Sequence, residues 1–137
     1  MPSEEPDERY LTAIAVGSAV LNVVVFTVVG ELAIEDAVYG GVAGVFAGVG
    51  TYLFLPWFMR LSAIQNGADG DLPLNEVLER TSGSVGAGTF GLGLEVGAIL
   101  MLALGFRDAE PSLVVGTAVG VAAAVAVYGL GSVALDR

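Results

Sequence analysis

Four long apolar blocks, parted by three polar stretches, set the pattern of this chain. The blocks cover residues 10–29, 37–58, 84–106 and 112–135. Each is long enough for a helix that crosses a hydrocarbon layer, which takes about 20 apolar residues. None alternates with a period of two, as a half-buried strand would. The reading is an all-α integral membrane four-helix bundle with glycine-rich helix packing.

The polar stretches complete this reading. Residues 1–9 form an acidic tail without the basic start of a signal peptide, so the first block is expected to be retained as a span. Residues 30–36 are a short acidic connection. Residues 59–83 are the one long loop, with an NGADGD turn and then a short helix, PLNEVLER, begun by Pro73 with Glu76 early. Residues 107–111 are a tight link. The chain therefore reads as one membrane domain, residues 10–137, behind a short tail.

Within the second block Pro56 is expected to end or kink the helix, and Tyr39 and Trp57 are placed as interfacial anchors. Gly40, Gly44 and Gly48 recur every four residues and share a face. Such a ridge of small residues lets another helix approach backbone to backbone. At about 100° per residue, Gly86, Gly93 and Gly97 share one face of the third span. Gly88 and Gly91 lie on the other face, beside Glu95. A helix with small residues on both sides is expected to be central. Gly116 and Gly120 mark one face of the fourth span.

Charge changes the picture in two ways. The chain has 5 basic residues, all arginine, against 15 acids, for a net charge of -10. Arg9, Arg60, Arg80 and Arg137 fall on one side of the four spans and Arg107 on the other. The positive-inside rule then puts both termini and the long loop in the cytoplasm of a multi-pass cell-membrane protein. No basic patch exists to meet nucleic-acid phosphates. In its acidity, its lack of lysine and its abundance of Ala, Val and Gly, the chain resembles small four-helix membrane proteins of extremely halophilic archaea. That resemblance is one of composition and implies no activity.

Chemistry is sparse. There is no histidine and no cysteine, which removes the usual metal ligands, thiolate chemistry and a Ser-His triad. Neither a metal nor a cofactor is expected, nor an enzyme. GAGTFG at residues 86–91 matches the dinucleotide fingerprint, but no strand precedes it and no βαβ unit follows. NGADGD lacks the spacing and the closing Glu of a calcium loop.

Glu95 is the exception. It is the one charged residue within the apolar blocks, and an ionisable group at that depth is a functional-site hypothesis by default. Asn22 lies about as deep in the first span as Glu95 does in the third, roughly 16 Å from the cytosolic side at 1.5 Å per residue. Tyr128 in the fourth span leans toward that level, because side chains tilt toward their helix N-terminus. Tyr52 is a weaker partner by the same argument.

Two functions follow. In the first, Glu95 is a neutral carboxyl bonded between helices. The protein is then a structural or partner-binding accessory subunit, associating with lipid, copies of itself or a larger membrane complex. In the second, Glu95, Asn22 and Tyr128 form a proton or ion site in a small oligomeric transporter or channel. Small multidrug transporters also combine four spans with one membrane glutamate, but theirs lies in the first helix.

Overall fold

A computed structural model describes residues 7–66, 73–80 and 82–135 of the chain. The acidic tail before Asp7 and most of the NGADGD turn lie outside the described residues. All regular structure described is helical: α1 (Glu8–Val29), a π turn (Gly30–Ile34), α2 (Ala37–Asn66), α3 (Leu74–Arg80), α4 (Ser82–Arg107) and α5 (Leu113–Leu135). Four of these helices are long and apolar enough to cross a membrane.

The helices pack in the order α1, α2, α4, α5, each on the next. Among the described residues the two outer helices touch each other marginally at most, so the bundle is an open row with α2 and α4 inside. Burial follows that order. In its most apolar stretch α4 has 44% of residues buried, against 11% for α1. The expectation of a central third span rests on the same geometry: Gly88 and Gly91 face α2, while Gly93 and Gly97 face α5.

Two boundaries differ from the sequence reading by more than two residues. The first helix does not stop at Val29 but widens into the π turn, which reaches Ile34. Glu35 then closes it in the left-handed region (φ 59°), its N–H bonded to the Gly30 carbonyl. Asp36 starts α2 by accepting the Tyr39 N–H at 2.9 Å, as helix caps do. The expected acidic link is thus mostly helical. It is drawn in because Gly30 and Gly40 meet: a Cβ on Gly30 would lie 2.5 Å from Gly40 Cα.

The second helix passes through Pro56 and runs on to Asn66, where the sequence suggested an end at Phe58. Proline removes one N–H and crowds the preceding turn. The helix continues past that local cost, and the run from Met59 to Asn66 is helix rather than loop. Arg60, on that extension, lies 3.6 Å from Glu8 at the start of α1.

Tyr39, placed by sequence as an interfacial anchor, turns its side chain into the bundle rather than outward. It is 1% exposed and donates its hydroxyl to the Met101 carbonyl at 2.6 Å. With Ile34, Ala43 and Met101 it forms the apolar core at that end of the row. At the other end α3 buries Val77 to 1% exposure.

Candidate functional site

Glycines on α2 bring two neighbours against the middle of that helix. On the α1 side, a Cβ at Gly44 would stand 2.9 Å from Val23 Cα, and one at Gly48 would stand 2.8 Å from the Ala19 carbonyl. On the α4 side, a Cβ at Gly50 would stand 2.7 Å from the Gly91 carbonyl and 3.0 Å from Glu95 Cγ. Ordinary side chains would hold these helices further apart. Thr51 follows Gly50 directly and faces the gap between α1 and α4.

There a polar chain crosses three helices. The Asn22 amide Nδ2 donates to Thr51 Oγ1 at 2.6 Å. Thr51 Oγ1 in turn donates to Glu95 Oε1. All three residues are half-buried. Asn22 comes from α1, Thr51 from α2 and Glu95 from α4, so each hydrogen bond is a tie between helices.

Asn22 and Glu95 are therefore brought together, but through Thr51 rather than directly. Sequence reading passed over Thr51 because a helical threonine commonly returns its hydroxyl to the carbonyl one turn back. Thr27 and Thr89 do this, bonding to the Val23 and Val85 carbonyls at 2.7 and 2.9 Å. Thr51 does not. The signal available was its place between Gly50 and Tyr52, in the middle of a glycine-lined span.

Tyr128 is not in the site. Its ring meets Phe90 edge-on, with centroids 5.9 Å apart, and it is 43% exposed. Phe90 and Glu95 are about 140° apart around α4, so a residue packed on one is turned away from the other. Tyr52 is also largely exposed, at 46%. Among the described residues neither tyrosine bonds to Glu95.

The remaining glycines divide by what lies beside them. Cβ atoms on Gly93 and Gly97 would stand 2.6 Å from the Ala124 carbonyl and 2.5 Å from the Gly120 carbonyl. On Gly116 one would stand 2.5 Å from the Tyr39 hydroxyl, and on Gly120 one would lie 3.1 Å from Met101 Sδ. A Cβ on Gly40 would strike the Phe26 carbonyl and one on Gly88 the Trp57 ring. Gly86 differs: a Cβ there would meet nothing within 4 Å among the described residues. It does not share the contacts of Gly93 and Gly97, despite lying on their face.

No protein-family model, curated protein or solved structure matches the chain. Among the described residues no group of three or more acidic, histidine or cysteine side chains could hold a metal ion.

Proposed function

We propose that this is an integral membrane protein of four spans with a structural or accessory role, in which Glu95 clamps three helices through Thr51 and Asn22. The hydrogen-bonded chain across α1, α2 and α4 carries this reading. A carboxyl at mid-span costs about 2.5–3.5 kcal/mol even on lenient insertion scales, and interhelical bonds offset part of that. The surface supports a lipid environment: Val114, Leu32 and Leu130 are 79%, 78% and 72% exposed. Apolar exposure on this scale is rare in soluble monomers.

The close-packed glycines support packing within one chain, since Gly40, Gly44 and Gly48 face α1 and Gly93 and Gly97 face α5. In this reading a second copy or a larger complex meets the row at its outer helices, not on those glycines. Arginine placement favours cytoplasmic termini.

A small proton- or ion-coupled carrier is the second reading. The half-buried state of Glu95, with only one carboxylate oxygen engaged by Thr51, is the observation that favours it. Glu95→Gln separates the two. A clamp tolerates glutamine, which keeps shape and bonding, and the variant folds and assembles like the parent. A carrier loses pH-driven flux in liposomes while remaining folded. Flux that depends on Glu95 would displace the structural reading.

A further inference from the structure

The direction of the hydrogen bonds has a consequence for α1. A threonine hydroxyl carries one hydrogen. The Asn22 Nδ2 can only donate, so the Thr51 oxygen accepts from it, which leaves the hydroxyl hydrogen for Glu95 when that carboxyl is ionised and can only accept. Both bonds point toward Glu95, the arrangement that serves an acceptor-only carboxylate.

We propose that the Asn22–Thr51–Glu95 chain is a proton-responsive tether, in which the charge on Glu95 sets how firmly α1 is held to α2. The proposal rests on the clamp reading above and adds regulation to it. A proton arriving from water forms an O–H bond on one Glu95 oxygen and removes the negative charge; nothing else is consumed. If it lands on the oxygen facing Thr51, Glu95 becomes a donor. Thr51 must then turn its hydrogen toward Asn22, where it meets an N–H donor until the amide turns over. If it lands on the other oxygen, the chain keeps its direction but loses its charge assistance. Bonds to an ionised group are roughly twice as strong as neutral ones. Both placements weaken the bond that reaches α1, because the Thr51 hydroxyl is no longer polarised by a carboxylate and is a poorer acceptor for Asn22.

The outer helix is the element positioned to respond. Among the described residues, α1 bonds or pairs to another helix through its side chains at two places, Asn22–Thr51 and the exposed Glu8–Arg60 pair. Among the described residues no other charged side chain is bonded to Asn22, Thr51 or Glu95. On the elements around α4, the titratable or charged groups are Tyr39, Tyr52 and Arg60 on α2, with Glu76, Glu79 and Arg80 on α3. Glu31 on the π turn and Tyr128 on α5 complete the set. Tyr39 is bonded to Met101, Arg60 pairs with Glu8 and Arg80 with Glu76. Among the described residues none of these is bonded to Glu95. On α1 the facing group is Asn22, which does not titrate.

The test uses the full chain in phosphatidylcholine vesicles. Since the sequence has no cysteine, Val25→Cys, on the exposed flank one turn from Asn22, takes a spin label on α1. The neutral-carboxyl infrared band of Glu95, identified by its absence in Glu95→Gln, is followed with pH beside the label's mobility. The expected result is that mobility changes over the same pH interval as the band. That change is lost in Glu95→Gln, in Thr51→Val and in Asn22→Leu, and kept in Thr51→Ser. If Thr51→Val fails to fold, Asn22→Leu carries the test, because it leaves the Thr51–Glu95 bond in place. A label that ignores the band, a band that does not change with pH, or a response kept in Asn22→Leu overturns the tether. The clamp reading survives those outcomes provided Thr51→Val still lowers thermal stability, and falls if it does not.

Discussion

Gly50 on α2 and Gly91 on α4 face each other across the closest contact beside Glu95. A Cβ on Gly91 would stand 2.6 Å from the Gly50 carbonyl oxygen, and one on Gly50 would stand 2.7 Å from that of Gly91. The two glycines let α2 and α4 approach until Thr51 reaches the Glu95 carboxyl. Helix approach and polar site are one feature of the fold.

Gly91→Ala should therefore part the two helices. Overpacking of this kind costs about 1–3 kcal/mol, read as a lower thermal midpoint in detergent. Gly86→Ala, where a Cβ meets nothing within 4 Å among the described residues, should do the opposite. Alanine is favoured over glycine in a helix by roughly 1 kcal/mol. Equal effects of the two substitutions would mean that the α2–α4 contact is not tight.

Thr51→Val removes the hydroxyl but keeps the branched shape. It leaves Asn22 and Glu95 without their shared partner, and an unsatisfied buried polar group costs about 1–3 kcal/mol. Thr51→Ser should recover most of that loss. The comparison is a thermal melt of both variants in one detergent, and a valine variant as stable as the parent would remove Thr51 from the clamp.

The protein has 1 tryptophan, so its fluorescence reports one place. Trp57 packs its ring against Gly88, with the indole nitrogen buried and without a hydrogen-bond partner among the described residues. Gly88→Ala should displace the ring and shift the emission maximum, while Gly129→Ala, where a Cβ meets nothing within 4 Å, should leave it unchanged. An unshifted spectrum in Gly88→Ala would place Trp57 elsewhere.

Orientation can be read with impermeant thiol reagents on single-cysteine variants. Asn66, which ends α2, and Glu110, between α4 and α5, are both exposed. Arginine placement leads to Asn66→Cys being labelled from the cytoplasm and Glu110→Cys from outside. The reverse pattern would invert the topology.

The existence of four long apolar helices was legible in the sequence because a run of some 20 apolar residues has few other uses. Glu95 stood out for the same reason, as the lone charge inside those runs. The helical part of the short acidic link and the passage of α2 beyond Pro56 were not legible. Local signals such as a glycine, an acidic pair or a proline mark where a helix can end, and contacts with other helices decide whether it does.

The site divides in the same way. Depth along a helix comes from counting residues, so Asn22 and Glu95 could be placed at one level from the chain alone. Which residue bridges them depends on rotation about each helix axis, and that is set by how the glycines seat one helix on the next. Thr51 enters the site because Gly48 and Gly50 bring α1 and α4 to either side of it. Tyr128 leaves it because α5 packs about Gly93 and Gly97, on the far side of α4 from Gly88 and Gly91. Sequence determined the elements and the one costly charge. The order of the row and the partner of that charge were decided by packing, since small residues permit many close approaches and only the assembled helices select among them.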